Sequence, residues 1–369
     1  MTVLSKMSQS LKRRAPDFSI GSALVAWYQK NKRALPWRQR FQESGDPYVV
    51  WVSEIMLQQT TIQAVLPAYQ RFLQEFPTLF SLAAADENSV RLACRGLGYY
   101  RRFRMMHEAS QLLNARKPFH WPTTFKEWHD LPGIGDYTAA AISSIAFQVP
   151  KAVVDGNVER VFCRLLDLRI IPDQKLKKNL QELGDQLIPA SAPSDYNQAV
   201  MELGQTVCTK QNPNCSICPL QAICQAYAAK SQHLAPAPKK PIDYLDVRMH
   251  LWFLMRGGKV GLVHRSKEAK FLGGTLGLPS ALESDEGDLR WEQAGRWNFK
   301  LDSFGSFKHS ITKHKIQAFV HHRELKTEAE RNFVWVPLEH VETQLISNLD
   351  RKALHLYQKH SAKNPLLLL

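Results

Sequence analysis

The segment PYVVWVSEIML, residues 47–57, sets the strongest limit on how this chain can fold. Asp46-Pro47 supplies a helix N-cap followed by a proline at the first helical position, where its missing N–H costs least. From there Val49, Val50, Trp51, Val52, Ile55, Met56 and Leu57 cover nearly the whole circumference, and a helix apolar on every side has to be buried. Other elements must therefore pack all round it. Inside the run stands one carboxylate, Glu54. Ionised there, it would cost on the order of several kcal/mol unless paired, so it tends to hold a proton. Two roles fit such a residue: a structural acid bonded to a buried partner, or a general acid whose raised pKa readies it near neutral pH.

The neighbouring sequence supplies the surrounding helices. Residues 22–30 read as a helix, RALPWR as a turn, and PAYQRFLQEF as a helix with Tyr69, Phe72, Leu73 and Phe76 on one face, ended by Pro77. RLACRGLGYYRRFRMMHEASQLLNA breaks at Gly96–Gly98 between two helical patterns, two more flank LPGIG, and another follows VDGN. To about residue 228 the chain is nearly all helix, with no β-alternation of any length. Pro236, Pro238 and Pro241 with two lysines then mark an extended linker. Beyond it, VRMHLWFLMRGGKVGLVHR is two β-rich runs around Gly257-Gly258, a hairpin signal, and FGSFKHSITKHKIQAFVHHREL and NFVWVPL add strands before a helical tail. A length of 369 residues exceeds one typical core, which agrees with two domains: a helical one over 22–228 after an N-terminal extension (1–21), a linker over 229–243, and a small α+β module over 244–369.

Lysine and arginine number 48 against 34 acidic residues, a formal charge of +14 that favours polyanions, above all nucleic acid. No apolar run approaches the ~20 residues of a spanning helix, and the N-terminus has basic residues without an apolar core, so neither a membrane span nor a secretory signal is expected. The expectation is a cytoplasmic protein. Cys94 and Cys163 stand alone in apolar helical contexts and read as buried thiols. The other four, Cys208, Cys215, Cys218 and Cys224, fall within 17 residues at C-x6-C-x2-C-x5-C spacing. Clustered cysteines in a reducing compartment indicate metal. With no histidine in the cluster and Pro219 after Cys218, a 4Fe-4S cluster is the first choice and zinc the second.

Two further motifs carry chemistry. LPGIGDYTAAAISSIAF, residues 131–147, sets Gly133 and Gly135 between helices, where unobstructed backbone N–H groups and the next helix N-terminus suit a DNA phosphate; the plainer alternative is a tight corner between helices. In KAVVDGNVERVF, Asp155 reads as an N-cap, and equally as a carboxylate facing a developing positive charge, as glycosidic cleavage requires.

LPWR, PYVVWVSEIMLQQT, GLGYYRRFR, LPGIGDYTAAAI, VDGNVERVF and the cysteine spacing, in this order, resemble the helix-hairpin-helix, iron–sulfur DNA glycosylases, and specifically the MutY-type adenine DNA glycosylases. The likeness is strong over residues 22–228 and looser beyond. It implies an all-α helix-hairpin-helix glycosylase core with an iron–sulfur loop at 208–224, followed by a Nudix-like recognition domain. By that resemblance Glu54 protonates the adenine ring, Asp155 faces the cationic sugar with Asn157 beside it, and Tyr137 stands where lyase relatives of the endonuclease III type carry a lysine. A phenol forms no Schiff base, so base excision without strand cleavage is implied. Trp37, Arg38, Leu57 and Glu202 match positions lining the adenine pocket, although Trp37 also reads as core. Gln59 and Tyr99 match residues that wedge into the duplex; Leu97 either helps them or anchors the turn. RRFR, after Tyr100, reads as a solvated basic face or as phosphate contacts.

The implied cofactor is one 4Fe-4S cluster, and the implied partner is duplex DNA carrying adenine opposite 8-oxoguanine or guanine, bound by a monomer. In the C-terminal domain FLGGTLGLP matches the Nudix-like strand entry, whereas ALESDEGDLRWEQAG lacks the glutamate spacing of Nudix hydrolases, so recognition of a nucleobase is expected and hydrolysis is not. The family's Phe-Ser-His loop is replaced here: ungapped alignment puts Ile311-Thr312-Lys313 at those positions, and a one-residue shift would present His314 instead. Two rival functions remain at this stage. One is a bifunctional pyrimidine-lesion glycosylase and lyase, against which Tyr137 and Glu54 speak; the other is a non-catalytic iron–sulfur DNA-binding module, against which both carboxylates speak.

Overall fold

The computed structural model describes residues 19–238, 241–266, 273–283, 303–325 and 333–363. Expectations for residues 1–18 of the N-terminal extension, Lys239 and Lys240 of the linker, Phe271-Leu272 of FLGGTLGLP, and ALESDEGDLRWEQAG beyond Glu283 lie outside them. Along the chain run α1 (Ile20–Asn31), α2 (Pro36–Ser44), α3 (Pro47–Leu57), α4 (Ile62–Glu75), α5 (Leu79–Ala84), α6 (Glu87–Ala93) and α7 (Arg101–Asn114). Next come α8 (Phe125–His129), α9 (Asp136–Phe147), α10 (Gly156–Leu165), α11 (Gln174–Leu187), α12 (Pro193–Thr206) and α13 (Gln225–Ala228). The β-strands are β1 (Leu245–Arg256), β2 (Lys259–His264), β3 (Leu276–Gly277), β4 (Ser280–Leu282), β5 (Gly305–Ile311), β6 (His314–Glu324) and β7 (Val334–Pro337), with α14 (Leu338–Gln344) and α15 (Asn348–Lys363) at the end.

Two compact units result, one of residues Met1–Ala85 and Arg101–Lys240, the other of Asp86–Tyr100 and Pro241–Leu369. The first is helical, with α3 at its centre: Pro47 through Met56 are all buried, as a helix apolar all round demands. Asp46 caps it by accepting from Tyr48 N, and Pro47 takes the first helical position. The helix α9 packs on α3, and its small residues Ala139, Ala140, Ala141, Ser143 and Ser144 are buried, which lets the two backbones approach. Buried Asn197 of α12 ties the segment before α10 in place. Its Oδ1 accepts from Val153 N at 2.9 Å, and its Nδ2 donates to Ser144 Oγ and Lys151 O, each at 2.8 Å.

The second unit is built on a mixed sheet of order β3-β2-β1-β6-β5, with β4 also on β1 and β7 also on β2. β1 and β2 form the hairpin expected at Gly257-Gly258, both at positive φ, as a two-residue turn of the primed kind requires. β1 then runs parallel to β6 from Leu245↔His314 to Met255↔Glu324, a pairing that strand alternation alone could not announce. Met249, Leu251 and Phe253 alternate onto one face with Ile316, Ala318 and Val320, and Leu349, Ala353, Leu354 and Tyr357 of α15 join that core. Phe253 and Tyr357 stack at 4.5 Å. A buried ion pair joins Arg265 Nη2 to Asp350 Oδ2 at 2.7 Å, and a Cβ at Gly277 would strike that guanidinium, which accounts for the glycine in FLGGTLGLP.

The segment Asp86–Tyr100 clusters with this unit. The Tyr100 hydroxyl accepts from Gly96 N at 2.9 Å and donates to Ile346 O at 3.0 Å, and Asn348 Nδ2 donates to Gly96 O.

Candidate active site

Glu54 is 5% exposed. Burial pushes its carboxyl up to about 7; the hydrogen bond from Tyr137 pulls the other way, and nearby Asp155 adds to the rise. The Tyr137 hydroxyl donates to Glu54 Oε2 at 2.9 Å and lies 3.2 Å from Met201 Sδ. Burial, and then the two carboxylates, raise the phenol well above its ordinary range, so it remains a donor. Tyr137 is the second residue of α9, and the packing of α9 on α3 delivers it to the acid.

Asp155 caps α10. Its Oδ1 accepts from Asn157 N at 2.9 Å and Val158 N at 2.8 Å, and its Oδ2 accepts from Asn157 Nδ2 at 2.8 Å. The capping role is therefore real, and the same carboxylate also lines the cavity that holds Glu54. Asn157 is fixed from behind by Arg160, whose Nη2 donates to Asn157 Oδ1 and Gly204 O and whose Nε donates to Cys208 O. A Cβ on Gly204 would fall 2.8 Å from Asn157 Cβ, so α12 carries a glycine at that crossing.

The cavity has a volume of about 840 Å³. Glu54, Tyr137, Asp155, Asn157, Trp37, Arg38, Leu57 and Glu202 all line it, which brings together every residue expected for catalysis and for the base pocket. Trp37 does two jobs: it is 7% exposed, edge-on to Tyr69 at 5.6 Å, and part of the wall. Glu202 accepts from Arg38 Nη2 at 2.9 Å and from Arg33 Nη2 at 3.1 Å. Burial alone would raise its carboxyl, but the two guanidiniums outweigh burial and hold it below the usual range. Arg33, Gln198 and Tyr28 belong to this wall too and were missed in the sequence. Arg33 opens the RALPWR turn, but its partner lies 169 residues away, where no local pattern points.

The residues expected to face DNA divide. Gly133 has φ +76, and a Cβ there would meet Met105 Cβ at 2.7 Å, so glycine is required; Gly135 is exposed with open space round it. Gln59, Tyr99 and Thr312 are exposed non-glycine residues at φ 55, 48 and 52, a region such residues rarely adopt. Thr312 and exposed Lys313 form the two-residue turn between β5 and β6, closed by Ile311↔His314. For two residues burial favours one of the alternatives left open in the sequence. Leu97 is 7% exposed, so its side chain packs inward as a turn anchor and not as a wedge. His314 is 1% exposed on the core side of β6 and is not presented, which leaves Thr312-Lys313 at the tip.

Cys208, Cys215, Cys218 and Cys224 line one small cavity together with Arg164 and Gln232. Arg164 Nη1 lies 3.4 Å from Cys208 Sγ, and Gln232 Nε2 lies 3.8 Å from Cys215 Sγ. Burial pushes Cys218 up to about 12 and raises Cys224. Buried thiols of that kind become thiolates only beside a cation, and N–H donors aimed at sulfur suit the thiolate form. The four donors thus fit a thiolate-bound group. Among the described residues no three His, Cys, Asp or Glu are arranged to hold a single metal ion.

Residues 52–189 match the model of the HhH-GPD superfamily base excision DNA repair proteins. The adenine DNA glycosylase of Rattus norvegicus is 43% identical over 225 residues, covering 59% of this chain and 44% of the relative. That of Homo sapiens is 44% identical over 210 residues, 55% of this chain and 38% of the relative. That of Buchnera aphidicola subsp. Schizaphis graminum is 32% identical over 234 residues, 63% and 66% respectively. The matched part of this chain thus spans less than half of the rat and human relatives. A solved thermostable thymine-DNA glycosylase shares the fold, with a TM-score of 0.51 at 24% identity, covering 60% of this chain and 98% of the other. Glu54, Leu57, Tyr137, Asp155 and Asn157 lie inside the HhH-GPD stretch; Trp37, Arg38, Glu202 and the four cysteines lie outside it, in the same helical unit.

Proposed function

We propose that this chain is a monofunctional adenine DNA glycosylase acting on adenine opposite 8-oxoguanine or guanine. One observation carries the proposal: Glu54, held near pKa 7 by burial, shares a cavity with Asp155, a carboxylate fixed by three hydrogen bonds. An acid and a carboxylate set apart by their surroundings are what N-glycosidic cleavage needs. With the nucleotide turned out of the stack into the cavity, Glu54 gives its proton to a ring nitrogen of adenine. The bond from C1′ to the base then breaks, and its electron pair leaves with the now neutral adenine. The sugar is left cationic, facing Asp155. Water adds at C1′, its surplus proton returns Glu54 to the acid form, and an abasic site remains. Tyr137 orients Glu54 by donating to Oε2 and offers no amine for a lyase step.

The four cysteines would hold a 4Fe-4S cluster. All four line one small cavity, in keeping with four thiolates round one group. In the second unit the Thr312-Lys313 turn would read the base opposite adenine, in a Nudix-like domain that recognises and does not hydrolyse.

The test is release of free adenine from duplexes with adenine opposite 8-oxoguanine, guanine or thymine. Excision opposite the first two is expected, with strand scission only after hot alkali, no borohydride-trapped adduct, and iron at about four atoms per chain in anaerobically purified protein. A trapped covalent adduct, or no adenine release, would overturn the proposal.

A further inference from the structure

We propose that Arg102 is a positioning residue that sets the turn carrying Gln59 for entry into the duplex, a role that rests on the excision reaction proposed above and on the wedging place that the family resemblance implies for Gln59. The three arginines of RRFR part company in the fold. Arg101 and Arg104 are exposed, whereas Arg102 is 7% exposed and turned inward. Its Nη1 donates to Ile55 O and Met56 O, each at 3.0 Å, and to Gln58 O; its Nη2 donates to Thr60 Oγ1 at 2.8 Å. The carbonyls at the end of α3 have no partner within their own helix, and that end carries the negative pole of the helix dipole. A guanidinium answers both.

Between the two anchored residues, Gln58 and Thr60, stands Gln59, exposed at φ 55. A non-glycine residue in that conformation is strained and persists only where its surroundings over-determine it. Here they do. Thr60 N donates to Leu57 O at 3.3 Å, Thr60 Oγ1 donates to Gln58 O at 3.2 Å, and Gln58 Nε2 donates to Thr138 Oγ1 at 3.0 Å. Thr138 follows Tyr137, the partner of Glu54. The turn carrying Gln59 and the acid Glu54 are therefore mounted on the same two helices, α3 and α9, and Arg102 fixes where α3 ends and the turn begins. Loss of Arg102 leaves Glu54 in its helix but frees Gln59 from the one conformation that points it outward.

A plain helix cap would predict something different, and a double-mutant cycle separates the two. Single-turnover adenine excision, duplex affinity and thermal melting are measured for the native protein, Arg102→Met, Thr60→Val, Gln59→Ala, and each of the first two combined with Gln59→Ala. Arg102→Met is expected to slow excision about tenfold or more, within the roughly 100-fold that a misplacement of about 1 Å can cost. Thr60→Val should do so more mildly, and Arg102→Lys should restore part of the rate, since an ammonium reaches the carbonyls but cannot also bridge to Thr60. In the Gln59→Ala background both effects should shrink to near nothing, because the residue they position is gone. Thr60→Val keeps the cycle readable if Arg102→Met does not fold. Effects that multiply with Gln59→Ala, and that follow the loss in melting temperature, would overturn the proposal while leaving native excision intact. A native protein that releases no adenine would overturn the excision reaction itself, and this role with it.

Discussion

Glu54 and Asp155 are both carboxylates in one cavity, and the chain surrounds them in opposite ways. Glu54 sits among the apolar side chains of α3 with one phenol for company, while Asp155 accepts two backbone N–H groups and an amide at the head of α10. The first environment keeps a proton on and the second supplies donors to a carboxylate. Keeping Glu54 protonated has a stability consequence whose sign follows from its pKa, about 7 in the fold against an ordinary 4.5. Between those values the native state holds a proton that the unfolded chain has released, so rising pH favours unfolding, and by about pH 7 the full cost, of order 3 kcal/mol, is present. Glu54→Gln removes that cost. Its melting temperature should equal the native one near pH 4.5 and exceed it at pH 8, although excision is lost. An equal difference at both pH values would show that Glu54 is not the protonated residue. The acid was legible because a lone carboxylate in an all-apolar helix is conspicuous. Its partner Tyr137, 83 residues on, was visible in the sequence only as a non-lysine, because a hydrogen bond between distant residues leaves no local trace.

At the scale of elements, periodicity gave α3, α4 and several other helices of the first unit and the Gly257-Gly258 hairpin, since helix and strand periods are written in neighbouring residues, whereas α2 begins at Pro36 inside the RALPWR stretch read as a turn. The parallel pairing of β1 with β6 was not legible, because alternation shows that a strand has an inner face and says nothing of its neighbour. The glycines of LPGIG look equivalent in sequence and are separated by the fold. Gly133 holds φ +76 against Met105, whereas Gly135, at φ -96, meets nothing within 4 Å. Gly133→Ala should therefore lower stability by roughly 1–3 kcal/mol and weaken duplex binding together. Gly135→Ala should melt within about 1 kcal/mol of the native protein and still bind duplex less well, because a methyl there intrudes where a phosphate is expected to approach the backbone. Thermal melts beside binding titrations distinguish the two; equal stability losses would contradict the assignment of strain to Gly133 alone.

For the molecule as a whole, the change from helical to β-rich sequence marked the second unit, but the membership of Asp86–Tyr100 in it was hidden. The bonds concerned, Tyr100 to Ile346 and Asn348 to Gly96, span 246 and 252 residues. In that unit Thr312 and Lys313 stand at an exposed turn where the resembling family has Ser and His. Lysine offers only donors and a fixed charge, and affinity gained from phosphate does not discriminate between bases. The preference for 8-oxoguanine over guanine should be weaker than in enzymes with Phe-Ser-His, and Thr312→Ala should weaken it further. A native preference as strong as theirs, unchanged in Thr312→Ala and Lys313→Ala, would exclude this turn as the reader. Both units serve one central claim, that burial keeps a proton on Glu54 for delivery to a flipped adenine. The pH dependence of single-turnover adenine excision tests it most directly. The rate should be level below about pH 7 and fall about tenfold per pH unit above it, with Glu54→Gln inactive throughout. A rate that stays level or rises from pH 7 to about pH 9, or excision by Glu54→Gln at the native rate, would contradict it.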